Sequence, residues 1–145
     1  MRTILAAIIA ILFVTGCAQA LPQPESATLA GTAWQLVRFQ GGDDTLLVPD
    51  DKAKYTLRFD ADGTVAVRMD CNRGRATWRA DPPQLQFGPL VSTRAACPPG
   101  SLHDRIVRHW PYVRSYIVQD GHLHLSLMAD GGIYEFEPMT EPAGK

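Results

Sequence analysis

The chain has little to build an active site from. Its 145 residues include three cysteines and four histidines, and these form no zinc-ligand spacing, Ser-His-Asp pattern or glycine-rich phosphate loop. These absences argue against an enzyme, and no cofactor is expected. Charge of either sign is also in short supply, with 14 Lys and Arg against 15 Asp and Glu. Without a basic excess the chain lacks the electrostatic footprint of a nucleic-acid binder. Long apolar runs are missing as well. The longest, Ile4 to Val14, is eleven residues, where spanning a bilayer takes about 20. It follows the positive start Met1-Arg2-Thr3 and precedes the small residues Thr15-Gly16, so residues 1–16 read as a cleaved export signal.

The end of that leader is more specific. Val14-Thr15-Gly16-Cys17 resembles a bacterial lipobox, and the resemblance implies cleavage before Cys17 and lipidation of its sulfur. Two or more acyl chains hold a protein on a membrane stably where one does not. Ala18 follows the cysteine, not the aspartate typical of inner-membrane retention. The expected address in a Gram-negative cell is therefore the outer membrane, with the domain facing the periplasm. Lipidation of Cys17 leaves Cys71 and Cys97 as a pair in an oxidising compartment. A bridge between them closes a loop of about 27 residues, worth roughly 3 to 4 kcal/mol. A reactive Cys71 is the competing reading, and the adjacent Asp70 disfavours the thiolate it would need.

Residues 17–28, with Pro22 and Pro24 and no apolar period, read as a tether, 29–138 as the domain, and 139–145 as a disordered tail. Within the domain a period of two dominates. Thr32 to Phe39 is a first strand, and Thr45 to Lys52 reads as a loop. Tyr55, Leu57 and Phe59 alternate with polar neighbours, Asp62-Gly63 turns the chain, and Val65, Val67 and Met69 alternate again. Asn72-Arg73-Gly74 allows a second reversal into Arg75 to Ala80, and Leu85 with Phe87 marks a short fifth strand. Ser101 opens a helix carrying Leu102, Ile106 and Trp110 on one face, which Pro111 ends or kinks. Strands at Tyr112 to Val118, around Leu123, Leu125 and Leu127, and at Ile133 to Glu137 close the chain. The expected fold is mainly β: about eight antiparallel strands in a strongly curved sheet or cracked barrel, with one helix between the fifth and sixth strands.

Several side chains invite a functional reading. Trp34, Phe59, Trp78, Trp110, Leu125 and Phe136 are core residues, or the lining of an apolar cavity if the barrel is incompletely filled. Arg58, Arg68, Arg75 and Arg79, with Arg73, fall mostly on polar positions of neighbouring strands and form either a solvated face or a basic strip for lipid phosphates or an acidic partner. His122 and His124 share a strand face, but two ligands are not a site without a third from His103, His109 or a carboxylate, so no metal is expected.

Leu29 to Leu36, Tyr55 to Phe59 before Asp62-Gly63, Cys71-Asn72, and Leu85 to Leu90 running into Ser92-Thr93-Arg94-Ala95-Ala96-Cys97 together resemble the META domain of HslJ-type bacterial envelope proteins. The closing segments Ser115 to Val118, Leu123 to Leu125 and Tyr134 to Phe136 follow the same pattern, and Pro111 departs from it where the family helix usually continues. The resemblance implies a cracked barrel with one helix in an envelope-stress protein, with no established reaction. The expected function is thus non-enzymatic: a lipid-anchored envelope protein whose domain binds an unknown envelope protein or lipid and supports envelope integrity. The alternative is a carrier or secretin-pilot-like chaperone holding an acyl chain or amphipathic peptide inside the barrel, by analogy of fold.

Overall fold

The computed structural model describes residues 28–139. The expected export signal, Cys17, nearly all of the expected tether and most of the expected tail lie outside the described residues. The strands are β1 (Thr32–Gln40), β2 (Leu46–Leu47), β3 (Tyr55–Phe59), β4 (Thr64–Met69), β5 (Asn72–Asp81), β6 (Gln84–Phe87), β7 (Val91–Ser92), β8 (Val113–Gln119), β9 (His122–Leu127) and β10 (Ile133–Pro138). Among the described residues one α-helix, α1, covers His103–His109.

Eight of the strands form a closed barrel. They follow one another around it in chain order, β1-β3-β4-β5-β6-β8-β9-β10, every neighbour antiparallel, and β10 returns to β1. The expected crack is absent, because β1 and β10 pair from Trp34 opposite Pro138 to Gln40 opposite Ile133. The thinnest seam is elsewhere, between β6 and β8, held by the pair Gln84–Ser115 and by the Tyr116 amide donating to Pro83 O at 2.8 Å.

The alternation read from the sequence is the inside and outside of this wall. Tyr55, Leu57 and Phe59 of β3, Val65, Val67 and Met69 of β4, and Leu123, Leu125 and Leu127 of β9 are all buried. Two bulges shift the phase where a strict period of two would fail. Val37 is skipped in the β1–β10 register and Arg114 in the β8–β9 register, so the buried series runs Leu36 then Phe39, and Val113 then Tyr116.

The helix is misplaced in the sequence reading: it follows β7, not the fifth strand. β2 and β7 are two residues each, too short for any periodicity to register, and the segment expected as a loop contains both β2 and a 3-10 turn at Lys52–Lys54. The helix start also differs. Leu102 stands at its N-terminal cap with no side-chain bond, while Ser101 Oγ accepts from the His103 amide at 3.2 Å. Pro111 behaves as expected, ending α1 at His109 and leading into a 3-10 turn over Trp110–Tyr112.

Helix α1 lies over one end of the barrel. Leu102 and Ile106 pack on the core, Tyr55 Oη accepts from the Leu102 amide at 3.0 Å, and Trp110 stacks on Phe87 with ring centroids 4.2 Å apart. Trp110 Nε1 donates to Gly88 O at 3.0 Å, which satisfies its one polar atom. The chain enters and leaves at the opposite end, where the Gly31 amide donates to Phe59 O at 2.7 Å and the Met139 amide to Ala33 O at 2.9 Å.

Candidate functional site

The segment between β6 and α1 is the least regular part of the described chain, and it is held by one residue and one covalent bond. The reversal before it falls at Asp70-Cys71, two residues earlier than the expected Asn72-Arg73-Gly74. Asp70 takes a positive φ of 59°, a conformation that Asp tolerates better than most residues. Asn72 therefore starts β5 with its side chain inward, where it is fully buried. Its Oδ1 accepts from the Ala95 amide and from Thr93 Oγ1, both at 2.8 Å, and its Nδ2 donates to Ala95 O at 2.9 Å. Nδ2 also lies 3.3 Å from Cys97 Sγ. Beside it Cys71 and Cys97 are joined, with Cα atoms 5.5 Å apart, so the expected pair forms. The Cys71 expected as half of a staple is that, and the competing free thiol is excluded.

Gly74 completes this join. A Cβ there would sit 2.9 Å from both Ser92 Cβ and Val91 O, so only glycine lets β7 lie this close on β5. The held segment and α1 then border an open groove of about 880 Å³, lined by Val91, Arg94, Ala96, Pro98, His103 and Val107 among others. His103 Nε2 is buried at its edge with no hydrogen-bond partner, while its Nδ1 lies 2.9 Å from Asp104 Oδ1. Neither Asn72 nor this groove was found from the sequence, because the partners of Asn72 lie more than twenty residues away and carry no local pattern.

The barrel interior is filled. Trp34, Phe59, Trp110, Leu125 and Phe136 are core residues, and Trp78 is half-buried with its ring edge-on to Phe59 at 5.3 Å. A pocket of about 30 Å³ near α1 is bordered by Leu57, Val67, Phe87 and Trp110. That is room for a water or two and not for an acyl chain. At its margin Tyr134 Oη lies 2.9 Å from His109 Nδ1, and both rings pack on Phe39. Burial pushes the Tyr134 phenol up. Burial, then the charges of Arg105 and Arg108, holds His109 below its ordinary value.

Outside, the charges are sorted by face. On β10 each glutamate has partners. Glu135 accepts from Arg38 Nε at 2.7 Å and lies 2.7 Å from His122 Nδ1, while Glu137 binds Lys52 Nζ and Gln35 Nε2. Burial works to raise the Glu135 carboxyl, but the His122 bond and the Arg38 charge outweigh it and hold the group low. His122 and His124 do share the outer face, yet the described residues contain no trio of His, Cys, Asp or Glu placed for a metal. Arg58, Arg68, Arg73, Arg75 and Arg79 lie on the outer faces of β3, β4 and β5. Arg68 stands directly opposite Arg73, and Arg58 and Arg75 flank Ala66.

No curated protein matches the chain. Among solved structures it is similar to a protein from Burkholderia xenovorans, determined by NMR, with 23% identity and a TM-score of 0.69. That match covers 90% of this chain and 100% of the other. It is also similar to a DUF4847 family protein from Bacteroides vulgatus, with 15% identity and a TM-score of 0.57, covering 79% of this chain and 96% of that one. At such identities the likeness is one of fold. The META domain matches residues 27–140, which takes in the whole barrel, the buried Asn72, the disulfide and the helix, and the chain belongs to the META domain family.

Proposed function

We propose that this protein is a non-enzymatic, lipid-anchored component of the bacterial cell envelope whose META domain binds another envelope component on its outer surface and supports envelope integrity under stress. The observation that carries this reading is the contrast between the two concavities. The pocket among the core side chains near α1 is about 30 Å³, whereas the groove between the 90–101 segment and α1 is about 880 Å³. A stapled, closed barrel with its concave surface outside suits a rigid binding platform. The carrier alternative needs an interior volume that the packed aromatic rings occupy.

Two measurements test it. Cys17→Ser should move the protein from the membrane fraction to the soluble one, and unchanged membrane retention sinks the anchor. A photo-crosslinking side chain at Val107, on the groove wall, should give a discrete adduct in intact envelopes that the same group at Ser126 on β9 does not. Equal labelling at both sites would refute the groove. Native mass spectrometry showing a reproducible bound lipid would favour the carrier instead.

A further inference from the structure

The arginine face of β3–β5 is unusual in what it lacks. The outward positions of these strands are Thr56, Arg58, Thr64, Ala66, Arg68, Arg73, Arg75, Thr77, Arg79 and Asp81, and the one carboxylate among them is Asp81, the last residue of β5. Acidic residues sit only at the strand ends, at Asp60, Asp62, Asp70 and Asp81. Hydrogen bonds from Thr64 hold the Asp62 carboxyl low, with a smaller pull from the Arg75 charge. No ion pair engages Arg68, Arg73 or Arg75 among the described residues. Arg68 donates to backbone carbonyls, to Ala53 O at 3.0 Å and Asp70 O at 3.5 Å, which leaves its charge uncompensated.

Like charges directly opposite one another on antiparallel strands are destabilising, and Arg68 faces Arg73 across one ladder. The row Arg58–Ala66–Arg75 continues to Val91 of β7, whose side chain is 76% exposed. A stretch of guanidinium groups around a small residue, ending in an exposed aliphatic side chain, is complementary to phosphates above hydrocarbon.

The chain itself says which plane. Gly31 enters the barrel against Phe59, at the end of β3, which borders the arginine face. From Cys17 to Leu29 the chain is twelve residues, a reach of at most about 40 Å. That is little more than the length of β5, ten residues at about 3.3 Å each. An anchor at Cys17 would therefore keep this face within about one barrel length of the bilayer.

We infer that the β3–β5 arginine face rests on the anionic headgroups of the membrane to which the protein is anchored, so that the barrel lies on its side and presents β9 and β10 to the aqueous compartment. The inference rests on the lipid-anchored reading above.

The full-length protein, reconstituted in vesicles, tests it. A fluorophore is placed at Ala66→Cys or, four strands around the barrel, at Ser126→Cys, and its quenching by headgroup-bound quencher is read. Labelling of the parent chain, with no introduced cysteine, first reports whether Cys17 is blocked, so loss of the anchor is seen separately. With phosphatidylglycerol in the vesicles, residue 66 should be quenched several-fold more than residue 126. The asymmetry should vanish on phosphatidylcholine alone, and at about 0.5 M salt, where screening shortens to a few ångströms. It should also vanish in R68Q/R73Q/R75Q and survive in R68K/R73K/R75K, since a headgroup plane reads charge and not fork geometry. These positions are on the outer surface, and an unchanged melting temperature certifies the variants. Equal quenching at both sites overturns the inference, as does asymmetry that persists on phosphatidylcholine.

Discussion

Asn72 binds Ala95 as a neighbouring strand would, its Oδ1 accepting from the Ala95 amide at 2.8 Å and its Nδ2 donating to the Ala95 carbonyl at 2.9 Å. One buried amide thus stands in for a stretch of ladder and fixes a segment with almost no regular structure of its own. Asn72→Ala removes these bonds and the one from Thr93. Because Ala95 is exposed, water re-pairs its backbone, and the loss should be about 2 to 3 kcal/mol, the net worth of the bonds. The urea midpoint should fall with little change in slope; an unmoved midpoint would show that Asn72 does not hold the segment.

The disulfide acts on the same segment through the unfolded chain. Removing it as Cys71→Ser with Cys97→Ser frees a separation of 26 residues, worth roughly 3 to 4 kcal/mol. Since Asn72 and the bridge share Cys97 and Ala95 as neighbours, combining the serine pair with Asn72→Ala should be non-additive. Thermal unfolding of the four variants reads this directly, and strictly additive losses would contradict it.

At Gly74 the consequence of close approach is local. The Cβ of Gly74→Ala would meet Ser92 and Val91 at 2.9 Å and Leu90 at 3.0 Å, so β7 must move away from β5. The expected penalty is about 1 to 3 kcal/mol. Amide exchange should accelerate at Val91 to Thr93 while β9 and β10 keep their protection; unchanged exchange in β7 would mean that the alanine is absorbed without displacement.

His109 makes stability depend on pH. Its folded value lies below the ordinary 6.5, because burial and then Arg105 and Arg108 disfavour the charged ring. The folded state therefore binds fewer protons than the unfolded one. The histidine's contribution is fully present above about pH 6.5 and is lost as pH falls through the folded value. His109→Gln, which can still reach the Tyr134 hydroxyl, should flatten stability against pH just below 6.5. A variant curve parallel to the parent's in that window would exclude His109 as the source.

The barrel wall was legible because its strands are wet on one side. Leu57 beside Arg58, and Leu125 beside His124, carry a period of two that only a sheet with one buried face explains. The disulfide was legible from parity and compartment. The closed seam was not, since nothing local in Trp34 or Pro138 says that they are neighbours. Nor was Asn72, whose identity also suits a turn and whose partners lie across a long loop. Val37 and Arg114 were hidden for a different reason: a bulge is the omission of one residue from a ladder, and the omission exists only relative to the partner strand.

That β1 and β10 are neighbours means that the barrel is cyclic in everything except its covalent order. The contacts that zip β3 through β6 and β8 through β10 are near in sequence, whereas closure joins Trp34 to Pro138, about a hundred residues apart. Closure is therefore the pairing with the largest loop-closure cost. A circular permutant that links residue 139 to residue 28 and opens the chain at Gly131-Gly132 turns the closing seam into a local hairpin. It also makes the β9–β10 seam the long-range closure, and it should collect the same native contacts.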